Sequence, residues 1–116
     1  MNTETLNALK QVKVLIGQLQ DALKDTTLSP QEKSLIRQAI NDQMDLQDTL
    51  IQESMQAMVD KINAANADLE TLTAKMEKTS EKLGKLAATI KKVSDVVGVL
   101  ADITAKAMSA GLLGGA

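Results

Sequence analysis

The chain has 116 residues, 44% of them hydrophobic, yet it contains no Phe, Tyr, Trp, His or Cys, and its net charge is -2. That length admits one domain of ordinary size. Without cysteine there is no disulfide, thiolate nucleophile or sulfur-ligated metal, and without histidine the commonest general base and metal ligand is gone.

A core restricted to Leu, Ile, Val, Met and Ala suits closely spaced helices better than a sheet, so the expected fold class is all-α. Arg37 is the only arginine, the other twelve basic residues being lysine. Arginine forks and aromatic stacking platforms, on which nucleic-acid recognition leans, are therefore missing, and no nucleic-acid partner is expected. No segment approaches the roughly 20 apolar residues of a membrane-spanning helix. Glu4, Lys10 and Lys13 interrupt the place where the apolar stretch of a cleavable leader would lie. The expectation is a soluble chain, cytoplasmic or exported without a cleaved leader.

In chain order, Leu6, Leu9, Val12, Ile16, Leu19 and Leu23 recur at three or four residues and predict a first helix over 3–25 with one buried face. Ser29, Pro30 and Glu32 then form a helix start: a serine cap, a proline whose missing N–H is not needed, and a glutamate at capping-box spacing. The short connection before Pro30 implies that the first helix packs antiparallel on the next.

From Gln31 to Leu83 there is no glycine or proline. A polar stretch at 41–49 shifts the phase of the apolar stripe, as at a stutter. From Ile51 the pattern then steps by fours and threes through Met55, Met58, Ile62, Ala65, Leu69, Leu72, Met76, Thr79, Leu83, Leu86, Ile90, Val93, Val97, Leu100 and Thr104 to Ala107. A repeat of about 3.5 residues held over roughly eight heptads marks helices packed along a seam, so the chain reads as an elongated helical hairpin or coiled-coil bundle.

Asn63, Asn66 and Asp68 offer a place for the seam to turn, giving a second helix over 30–62 and a third over 68–110. The alternative is one rod from Pro30 to Ala107, about 117 Å long. Charge is compatible with either. Acidic residues 42–60 mirror the lysine-rich stretch 75–92 about Asn66, so an antiparallel arrangement within one chain or between two sets acid against base.

After Lys82 the apolar face widens, with Ala87, Val96, Ala101, Ile103 and Met108 joining the seam. Such a face requires several helices, other subunits or lipid around it. Residues 111–116 are uncharged and glycine-rich and read as a flexible tail, in which Leu112 and Leu113 could dock.

No catalytic, cofactor or metal site emerges. Asp42, Asp45 and Asp48 share one helix side but lack the loop that wraps calcium. The serines have no histidine to activate them, and the glycines at 17, 84 and 98 are too scattered to cradle phosphate.

The expected function is therefore non-enzymatic: a structural or interaction protein that self-assembles, or binds a helical partner, through its seams and the face formed by Leu86, Ile90, Val93, Val96, Val97, Leu100, Ile103, Leu112 and Leu113. No small-molecule substrate is expected. The alternative is a membrane-active helical protein, pore-forming or translocator-like. It would use the amphipathic stretch 83–113, with Lys82, Lys85, Lys91 and Lys92 meeting anionic lipid. The aromatic-free helices, rich in Ala, Gln, Asn and Thr, resemble exported bacterial filament and translocator proteins in composition and architecture alone. That resemblance implies a bacterial or phage assembly protein.

Overall fold

The computed structural model describes residues 3–52 and 54–110. Among them the chain forms four helices: α1, Thr3–Ala22; α2, Pro30–Gln52; α3, Met55–Thr79; and α4, Glu81–Ser109. No strand occurs among the described residues, and the all-α expectation holds.

Helices α2, α3 and α4 each begin where a side chain can satisfy one of the first free N–H groups. At α2 the capping box closes as its spacing predicts: Ser29 Oγ accepts from the Glu32 N–H at 3.1 Å, and Glu32 Oε1 accepts from the Ser29 N–H at 3.0 Å. Before it, α1 stops three residues short of the expected Asp25. The chain there tightens into bonds from the Lys24 N–H to the Asp21 carbonyl and from the Asp25 N–H to the Ala22 carbonyl.

The expected turn at 63–68 is corrected. Those residues lie inside α3, and the chain reverses instead beside Ser54 and at Ser80. Serine oxygens cap both starts, Ser54 Oγ accepting from the Ala57 N–H and Ser80 Oγ from the Leu83 N–H. Asn63 and Asn66 do not end the helix, because the alanines around them favour it and Asn66 spends its amide elsewhere. Its Nδ2 donates to the Ser94 carbonyl on α4, at 3.2 Å. The second helix thus ends at Gln52 rather than 62, the stretch from Met55 to Ser109 is two helices rather than one, and the single rod is excluded.

The four helices run alternately up and down, α1 beside α2, α2 beside α3, α3 beside α4, and α4 back beside α1. This closes a ring around one core, 54 × 21 × 17 Å overall. From α1 the core takes Ala8, Val12, Leu15 and Leu19, from α2 Ile36, Ala39 and Leu46, from α3 Ile62, Leu69, Leu72 and Met76, and from α4 Leu83, Ala87, Ile90 and Val97. Fully burying a Leu or Ile side chain stabilises by about 1.5–3 kcal/mol, so no single layer dominates the fold.

Charge follows this topology and not the mirror symmetry about Asn66. Lys82 pairs with Asp25 and Lys91 with Glu77. Asp42, Asp45 and Asp48 instead line a groove between α2 and α3, together with Lys61 and Asp68.

Candidate functional site

The wide face read in 83–108 is widened because α4 touches two neighbours, α3 and α1, at once. Ile90, Val93, Val97 and Leu100 are buried in the core, and Leu86 and Val96 are half-buried against it. These six residues are thus satisfied within one chain, so they do not form an open surface. Ile103 alone of the named face stands out, 50% exposed; Leu112 and Leu113 lie outside the described residues.

What remains on the outer side of α4 is a narrower pattern. Lys85, Lys92, Val99 and Lys106 lie seven residues apart in sequence, and Val96 and Ile103 form the adjoining row. Val99 is 56% exposed, more than any other large hydrophobic among the described residues. Val99 is not among the residues of the face read from the sequence, and it is here that the helix shows apolar surface beside lysines. Lys85 and Lys92 are exposed, whereas Lys82 and Lys91, also expected to meet lipid, are tied to carboxylates.

Polar chemistry gathers at the end of the bundle where the α1–α2 connection meets the α3–α4 junction. Lys82 Nζ lies 2.7 Å from Asp25 Oδ2 and 3.0 Å from Thr27 Oγ1. Thr27 donates to the other oxygen of the same carboxylate, from its N–H at 2.9 Å and its hydroxyl at 2.6 Å. Ser80 Oγ donates to Glu32 Oε2 at 3.0 Å.

The Lys82 ammonium, then the Thr27 donors, hold the Asp25 carboxyl well below the usual carboxylate range. The Ser29 N–H and the Ser80 hydroxyl lower Glu32, and Asp25 raises Lys82. Each ionised form is the bonded form, so the cluster is a neutral-pH clasp. Its sequence signals were the Asp-x-Thr turn at 25–27 and the capping glutamate. Nothing in sequence announced that Lys82 and Ser80 would meet them.

Two further features were hidden. Gln43 is fully buried on α2, and neither amide atom has a hydrogen-bond partner among the described residues. Stepping back from Leu50 by fours and threes through Leu46 would have found it at a core position. Between α3 and α4, the Asn66 Oδ1 and Ser94 Oγ atoms are also buried without partners among the described residues. A Cβ on Gly98 would come within 3.3 Å of Asn66 Nδ2, so the missing side chain there admits the asparagine.

The α2–α3 groove encloses about 390 Å³. Burial, then Asp68 and Asp45, raises the Asp42 carboxyl above its ordinary value. Among the described residues no group of three or more carboxylates is placed to hold a metal ion. Comparison with protein-family models, curated proteins and solved structures found no match.

Proposed function

We propose that the chain is a non-enzymatic helical interaction protein that self-assembles or receives a helical partner on the outer side of α4. One observation carries the reading: Val99 and Ile103, four residues apart on a helix whose inner side is already packed, are 56% and 50% exposed. Isolated exposed hydrophobics are ordinary, but two on one helical side, with Val96 half-buried next to them, form a stripe that a second helix can cover.

Absolute mass by light scattering with refractive-index detection tests this, since the chain lacks aromatic absorbance. Wild type is expected to show a concentration-dependent larger species, and Val99→Lys/Ile103→Lys a smaller one with unchanged helicity. Wild type that keeps monomer mass up to millimolar concentration, and captures no helical partner, refutes the reading. The core-facing Val97 and Leu100 are unsuitable probes, being 0% and 3% exposed, because a lysine there would unfold the bundle.

A second reading has its own support. Lys85, Lys92 and Lys106 flank the same apolar stripe, the arrangement of a helix that lies on an anionic membrane surface. No helix among the described residues is long and apolar enough to cross a membrane, so this reading concerns surface contact. Co-sedimentation with anionic vesicles, lost in Lys85→Glu/Lys92→Glu, supports it. Failure to sediment with any vesicle composition removes it.

A further inference from the structure

The reversal between α3 and α4 is made by a single residue. Ser80 closes α3 and caps α4 at once, with φ -162° and ψ 165°, an extended conformation that any residue adopts. Thr79, Ser80 and Glu81 include no glycine or proline, so nothing in the covalent chain forbids a helix through the junction.

Most buried residues on either side share one phase, and Val59, Thr73, Ala87 and Ala101 form the adjoining row. Met58, Ile62, Leu69, Leu72 and Met76 of α3, and Leu83, Ile90, Val93, Val97 and Leu100 of α4, all fall on one alternation of threes and fours. A hairpin of two independent helices does not require this, since each could present its apolar stripe at any rotation. If residue 80 became helical, the two stripes would join into one face of a helix running from 55 to 109. Such a face cannot stay open in water. A second copy, antiparallel, would offer α4 the same surfaces it covers in the closed chain: Asn66 reaching the Ser94 carbonyl, Glu77 meeting Lys91, and the α1 side of the bundle.

From this shared phase across a one-residue hinge we infer that the chain exchanges α4 with a second copy, forming a domain-swapped dimer in which α3 and α4 are continuous through Ser80. The inference uses the inner side of α4 and is independent of the outer stripe in the proposed function. Very short hinges are the usual setting for such exchange, because opening them removes a tight reversal at little cost in contacts. The clasp opposes opening. Ser80 Oγ bonds the Leu83 N–H and Glu32, and Lys82 bonds Asp25, only while the chain folds back at residue 80.

The experiment compares three chains by light scattering over a range of concentrations after prolonged equilibration: wild type, Ser80→Ala, and a chain with Gly-Asn-Gly-Gly inserted after Ser80. Alanine removes the cap and the Glu32 bond in both copies and favours a continuous helix, so the dimer association constant should rise roughly tenfold or more. With Val99→Lys/Ile103→Lys present in all three chains, so that the outer stripe contributes no association, the insertion should abolish the dimer. A second measurement reads connectivity directly, because the chain has no native cysteine. With Asn66→Cys and Ser94→Cys, the oxidised dimer fraction should run as a covalent dimer under denaturing conditions.

A Ser80→Ala chain that keeps its helical circular dichroism yet stays monomeric at millimolar concentration overturns the inference. So does a dimer whose cysteines link only within each chain; that result would leave the outer-stripe reading standing. Should Ser80→Ala lose its helicity, the insertion decides in the Val99→Lys/Ile103→Lys background: a dimer there that survives the insertion, or the absence of any dimer there before insertion, overturns the inference.

Discussion

Replacing Gln43 with methionine should make the protein more stable. Gln43 is 0% exposed on α2, and neither Oε1 nor Nε2 has a partner among the described residues. A buried polar group left unsatisfied costs about 1–3 kcal/mol in mutational data. Methionine keeps the length and unbranched shape of glutamine, so packing is preserved and the desolvation cost disappears. For a chain of 116 residues the entropy of unfolding is roughly 0.24 kcal/mol/K. The expected gain in melting temperature is therefore about 4–12 °C.

Thermal and urea unfolding followed by circular dichroism at 222 nm suits an aromatic-free helical chain, and the urea slope should not change. Gln43→Glu is the sharpening control. It should unfold the bundle at neutral pH and recover as the medium is acidified, because a buried carboxyl is tolerated only when protonated. A Gln43→Met protein with an unchanged or lower melting point would refute the reasoning, for it would mean that the native amide is satisfied.

The clasp predicts an acid limb. Asp25 and Glu32 are both lowered in the folded chain, so their stabilisation is complete above their unfolded values near 3.8 and 4.5 and is lost as pH falls through their lower folded ones. Wild type should lose stability below about pH 4, and Asp25→Asn/Glu32→Gln should be weaker at neutral pH with a shallower loss on acidification; identical profiles would argue against the clasp. Glycine scanning separates propensity from packing. A Cβ at Gly17 meets nothing within 4 Å, so Gly17→Ala should stabilise α1 by about 0.5–1 kcal/mol. Gly98→Ala, whose Cβ would press on Asn66 at 3.3 Å, should gain less, and equal gains at both sites would contradict the close α3–α4 approach. Ile90→Ala, at a 0% exposed site, should cost about 2–5 kcal/mol, whereas Val99→Ala on the outer side should stay within about 0.5 kcal/mol in the monomer, read by urea midpoints.

Much of this protein is local in origin and could be read along the chain. The aromatic-free composition and the apolar steps of three and four dictate helices, because only that period brings such residues to one side. Ser29, Pro30 and Glu32 act within one turn of each other, so their capping box was legible to the residue. The breadth of the apolar face after Lys82 called for several helices, other subunits or lipid around it, and α3 and α1 cover it within one chain.

What tertiary structure alone decided was where the seam folds back and which side chains stay outside. One heptad phase runs through Asn66 and Ser80 alike, so a local rule that favours asparagine as a breaker chose the wrong place. The reversal falls at Ser80 because there Glu32 and the Asp25–Thr27 turn, distant in sequence, can satisfy Ser80 and Lys82. Asn66 meanwhile finds its partner across α4, in a space held open by Gly98. The same closure buried Ile90, Val93, Val97 and Leu100 and left Val99 and Ile103 in water. Period alone fixes which residues share a side of a helix. Only the number and position of the neighbouring helices fixes how far around that helix the core extends, and hence where an interaction surface begins.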